Sequence, residues 1–347
     1  MATLLEFNSA AFAQEDNPIN VMPKKPTPIG IGKPLSVEIL SYYTGEFGRS
    51  NRDKQLLICS SIKGFADINV NPKAINQLIM KAEERKLMIP SAASHGSQLL
   101  FYTKALDQSK IMINVEMGIN RVNSNVLDGV ANLVESASNV PAFLSAKSQL
   151  LIGAKAIRMG NKALEFFAES KPKLQDDLHI NIDDDFFKDT ESGVKVLVPN
   201  GKDMHFKDYT PFLDNVLGNP CYKLIHKETK KEYSGELPYI FIGISGKERP
   251  SLDNFLPLLA SQEILQDFFN ERESIANDTL NNLNEAMSLY NDMKYLKKAN
   301  ELARQLEDMN KDSDEYEKNL SLFEAYRENI MEDVIKKSIS DPVAINI

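Results

Sequence analysis

Between residues 35 and 250 the apolar residues of this chain fall into short runs bounded by polar, Gly- and Pro-containing stretches; beyond about residue 270 they recur at helical spacing. Short apolar runs rich in β-branched and aromatic residues predict strands. They occur at Ser36–Tyr43 (SVEILSYY), Gln55–Ile62, Gln98–Thr103, Lys110–Met117, Leu178–Ile182, Val194–Val198, Tyr222–His226 and Tyr239–Ile244. Pro72–Lys86 differs, placing Ala74, Ile75, Leu78, Ile79 and Ala82 on one helical face behind a proline suited to a first turn. A helix is expected there, and another at Leu256–Phe269.

The stretch from Asn123 to Ser170 is rich in Ala, Ser and Leu, poor in charge and interrupted by Pro141, which predicts two shielded helices. In the tail, Leu280, Leu283, Met287 and Tyr290 recur every three or four residues, a narrow amphipathic seam. The polar run Asn310–Asp314 breaks it, and Tyr316, Leu320, Phe323, Ile330 and Val334 predict a second helix. Two helices across a short polar break form an antiparallel hairpin.

These elements divide the chain into five parts: an irregular Pro-rich arm (1–34), a β-rich module (35–122), a helical connector (123–170), a second β-rich module (171–270) and a helical hairpin tail (271–347). The expected class is α+β, with two sandwich-like modules. Ser36–Tyr43, Gln55–Gly64 and the Pro72 helix share an order with Tyr222–His226, Tyr239–Ile244 and the Leu256 helix, which fits either duplication of one module or the coincidence of a common order.

Composition narrows the partners. The 347 residues carry a net charge of −9, which disfavours nucleic acid and charge-driven binding to anionic lipid. No apolar run reaches the roughly 20 residues of a membrane-spanning helix. The N-terminus lacks the basic start and unbroken apolar core of a secretory signal. Cys59 and Cys221 both lie in apolar runs, as buried thiols of a reducing, cytoplasmic protein do.

No local catalytic motif emerges. His95 sits among serines without the G-x-S-x-G of a hydrolase elbow, and the Gly30–Pro34 stretch misses the phosphate-loop spacing. Asp183, Asp184 and Asp185 follow a strand and could offer oxygens to Ca²⁺, although their contiguous spacing suits a solvated turn better than an EF-hand. In size and strand pattern the β-rich stretches resemble C2-type sandwiches. That resemblance implies loop aspartates at one sandwich end; Asp176, Asp177 and Asp183–Asp185 stand in the second module, and only Asp53 and Asp67 in the first. No cofactor is expected.

The reading is a non-enzymatic binding or effector protein, engaging another protein through Leu280, Leu283, Met287, Tyr290, Leu320 and Phe323. Two alternatives stay open: a hydrolase with dispersed catalytic residues, and a membrane-acting effector that uses the connector or C2-like loops.

Overall fold

The computed structural model describes residues 5–7, 26–47, 54–64, 74–79, 81–90, 98–120, 173–182, 192–216, 219–250 and 277–339. The connector 123–170, Leu256–Phe269, His95 and Asp183–Asp185 lie outside the described residues.

The strands are β1 (Leu5–Phe7), β2 (Leu35–Tyr43), β3 (Gln55–Gly64), β4 (Ala74–Ile79), β5 (Leu87–Met88), β6 (Leu99–Thr103), β7 (Lys110–Asn120), β8 (Leu174–Asn181), β9 (Gly193–Leu197), β10 (Tyr209–Val216), β11 (Asn219–His226) and β12 (Tyr239–Ser245). All their pairings are antiparallel. One sheet runs β1-β9-β12-β2, with β5 and β6 sharing the far edge of β2; the other runs β4-β3-β7-β8. β10 and β11 form a separate hairpin.

The two larger sheets close on one apolar core. Leu35, Val37 and Ile39 of β2, Ile240, Ile242 and Ile244 of β12 and Leu197 of β9 share it with Leu56 and Ile58 of β3, the odd positions Ile111–Ile119 of β7, and Leu174, Leu178 and Ile180 of β8. Side chains alternate across a strand, so one row per strand supplies this core. An α+β architecture with a sandwich-like arrangement results. The two β-rich stretches of sequence do not fold side by side: each contributes strands to both sheets. β2 pairs β12, and β7 pairs β8.

Two expectations are corrected. Pro72–Lys86 is not a helix among its described residues. Ala74–Ile79 is an edge strand on β3, and Arg85, at φ 51°, sits in the left-handed region that no continuous helix allows. The spacing of Ile75, Leu78 and Ile79 imitates a helix, but cross-strand pairing decides. The shared order loses its helix in the first copy, and the Leu256 helix of the second lies outside the described residues. The polar stretch ahead of Tyr222 holds β10, which pairs β11 over its full length from Tyr209↔His226 to Val216↔Asn219. This hairpin covers the outer face of the first sheet, where Tyr43, Phe206, Tyr233, Tyr239 and Phe241 pack with Val196, Val198 and Leu224.

The tail forms α1 (Asn277–Glu307), α2 (Asp314–Glu328) and the short α3 (Asp333–Lys337). The predicted break is real: Ser313 caps α2, its hydroxyl accepting the Tyr316 N–H, with Asp314, Glu315 and Glu317 in the first turn.

Candidate functional site

The helical cluster is held to the sandwich by a polar junction. Asn329, at the end of α2, is 2 % exposed; its Nδ2 donates to the Ala105 carbonyl at 2.7 Å, and the Thr103 hydroxyl donates to its Oδ1 at 3.3 Å. On α1 the Tyr295 hydroxyl donates to Asp107 Oδ2 at 3.2 Å. Lys298 Nζ stands 4.0 Å from the same oxygen and over the rings of Tyr326 and Tyr295, at 5.0 and 5.6 Å from their centroids. Burial raises the Asp107 pKa, with Lys298 and the Tyr295 hydroxyl opposing; burial and Asp107 raise that of Tyr295. Gly32 makes the close approach to α2 possible: its φ is 75°, and a Cβ there would meet the Ser321 carbonyl oxygen at 3.2 Å.

Inside the cluster, Ala299, Leu302, Ala303 and Leu306 of α1 pack Tyr316 and Phe323 of α2, with Leu320 partly buried beside them. Asp292, fully buried on α1, accepts the N–H groups of Met331 and Glu332 at 2.8 Å each and so fixes the start of α3. At a rise of about 1.5 Å per residue, α1 is about 46 Å long and α2 about 22 Å, so α1 extends well past its partner.

Leu289 and Met293 lie on α1, one turn apart, and are 55 % and 53 % exposed. At about 100° per residue they are rotated by roughly 120° and 160° from Tyr295, off the flank that packs α2. Val334 on α3 is 80 % exposed. Exposed large apolar side chains grouped on one element mark an interaction surface better than scattered ones do.

The structure treats the expected contact residues unevenly. Leu280, Leu283, Met287 and Tyr290 lie on α1, their side chains outside the description. Phe323 is 2 % exposed and Leu320 packs beside it, both in the seam between α1 and α2. Leu289 and Met293 were not singled out from sequence. The signal available was their offset from the stripe Tyr295–Ala299–Leu302–Leu306, which continues toward the N-terminus through the polar Asp292 and Ser288.

Of the candidate chemistry among the described residues, His226 and the two cysteines have structural employment. His226 Nδ1 accepts the N–H groups of Glu228 and Thr229 at 3.2 Å each, closing a turn. Cys59 and Cys221 are buried, and burial pushes the Cys221 thiol up to about 11, which keeps it protonated. Among the described residues, no three His, Cys, Asp or Glu side chains converge as metal ligands, and no helix is long and apolar enough to cross a membrane. No protein-family model, no curated protein and no solved structure matches this chain.

Proposed function

We propose that this chain is a non-enzymatic binding protein that engages another polypeptide through the exposed flank of α1. The observation carrying this reading is the pair Leu289 and Met293, half exposed on a helix that packs α2 through Ala299, Leu302, Ala303 and Leu306. The partner chemistry that fits is an amphipathic helix laid alongside α1, meeting apolar side chains spaced one turn apart. The acidic total of −9 points away from nucleic acid. Two buried thiols suit a reducing compartment, so the proposed setting is the cytoplasm.

The test places the photo-crosslinker p-benzoylphenylalanine at Leu289 of the full chain in its native cells, with the exposed Glu307 as a control position. The expected result is one discrete polypeptide adduct from position 289, absent from position 307 and lost when Met293 is also changed to Asp. Adducts to lipid alone would favour the membrane-acting reading, and equal adducts at both positions would remove the site. With the adducted partner in hand, Leu289→Asp with Met293→Asp should weaken binding at least about tenfold, the scale of a 1.4 kcal/mol loss.

A further inference from the structure

Three side chains close around one lysine where the helices meet the sandwich. Lys298 of α1 holds its Nζ over two tyrosine rings, 5.0 Å from the centroid of Tyr326 on α2 and 5.6 Å from that of Tyr295 on its own helix. The two centroids are 6.0 Å apart and the ring planes meet at 45°, so the rings form an open V. Asp107, in the loop between β6 and β7, supplies a third wall, with its Oδ2 4.0 Å from Nζ. The Tyr295 hydroxyl fixes that oxygen by donating to it at 3.2 Å. Solvent still reaches the lysine: its side chain is 41 % exposed, against 10 % for Asp107. Aromatic faces around a cation are the arrangement by which proteins recognise methylated ammonium groups.

The spacing to Asp107 is that of a larger cation than the one present. A bare lysine ammonium closes on a carboxylate to about 2.7–2.9 Å. Lys86–Glu83, Lys223–Asp214 and Lys336–Glu328 do so in this chain, at 2.6, 2.6 and 2.7 Å. The wide pair Lys297–Glu301, at 3.9 Å, joins two exposed side chains that are free to spread, whereas the Asp107 carboxyl is confined. A methyl group on nitrogen adds a bond of about 1.5 Å, and its carbon rests at roughly 3.3–3.6 Å from an oxygen. A methylated nitrogen therefore stands about 4 Å from the carboxylate that it faces.

We propose that Lys298 Nζ is a methylation site, and that Asp107, Tyr295 and Tyr326 form the cage that holds the methylated ammonium within the same chain. The donor is of the methylsulfonium class. Nζ first gives a proton to solvent, and the neutral amine attacks the methyl carbon. The carbon–sulfur bond breaks with its electron pair passing to sulfur, which leaves as a thioether. Nitrogen carries its positive charge again after each transfer, so Asp107 keeps its counter-charge, while methyl carbons replace water on the two ring faces. Methylation thereby tightens the hold of α1 and α2 on the loop between β6 and β7. At about 100° per residue, Lys298 lies roughly 140° and 180° around α1 from Met293 and Leu289, so this site is separate from the proposed partner flank and does not rest on it.

The test builds the modification into the full chain. Lys298→Cys, alkylated with 2-bromoethylamine or with (2-bromoethyl)trimethylammonium, gives the bare and the trimethylated lysine analogues at one position. Cys59 and Cys221 are buried, so the folded chain shields both from the reagent. In urea denaturation the trimethylated analogue should favour the folded state at least about threefold more than the bare one, the scale of one exposed cation–π contact. Tyr326→Phe keeps a ring face and should keep that gain; Tyr326→Leu should abolish it. Peptide mass spectrometry of the chain purified from its native cells should find methyl groups on Lys298. The proposal is overturned if the trimethylated analogue is no more stable than the bare one, if the gain survives intact in Tyr326→Leu, or if Lys298 from native cells carries no methyl group.

Discussion

Asp176 enters the sandwich core from β8, in the inward series Leu174, Asp176, Leu178 and Ile180. It is 3 % exposed; its Oδ1 accepts the Asp177 N–H at 2.6 Å, while its Oδ2 has no partner among the described residues. Burial pushes its pKa up to about 6, against the Asp177 N–H that favours the carboxylate. The sign follows. Below a pH of about 4 the carboxyl is neutral in folded and unfolded chains alike. Between there and about 6 the unfolded chain ionises first, and folding loses stability as the pH rises. Asp176→Asn should therefore raise the midpoint of denaturant unfolding at pH 7.5, with the gain closing toward pH 4. Parallel curves for the two chains across that range would show that the carboxyl ionises freely.

At the level of the helices, seam and exposed flank make opposite predictions. Phe323 fills the space between α1 and α2, so Phe323→Ala should cost about 3 kcal/mol or more in chemical denaturation. Leu289→Ala removes a side chain that is 55 % exposed and should stay within about 0.5 kcal/mol of the unaltered chain. Similar costs for both would mean that Leu289 is covered in solution. The helix break at Asn310–Asp314 and eight of the strands were legible because buried apolar runs and polar punctuation coincide there. β4 was not, because its apolar residues also fit a helical face. β10 was not, because Pro211, Asp214 and Asn215 mark it as loop, and its place comes from β11 and the aromatic cluster. Asp176 and Asp177 hid the start of β8, which the sequence put at Leu178; the ladder to β7 runs through both. For the candidate site, spacing located α1, but which of its flanks α2 would cover is a tertiary fact.

Across the whole molecule, the two β-rich stretches share one core. β2 is the interior strand that receives β5 and β6 on one edge and β12 on the other, so a chain ending at residue 122 lacks half of the first sheet's central pairing. The fragment 35–122 should accordingly show no cooperative thermal transition by circular dichroism, whereas the full chain should unfold cooperatively. A sharp transition in the fragment would mean that β2, β3 and β7 hold a core without β8, β9 and β12.

The pairing of Val37 with Ile244 also sets a clock on the ribosome. About 200 residues of synthesis separate the two strands, which at roughly 5–20 residues per second is on the order of 10–40 s. Through that interval Leu35, Val37 and Ile39, all destined to be at most 1 % exposed, emerge with their principal neighbour not yet made. The nascent chain therefore passes through a period in which the core-facing row of this strand is open to any passing strand edge. Its yield in the cell should depend on holding chaperones and on translation speed more steeply than the stability of the finished fold would suggest.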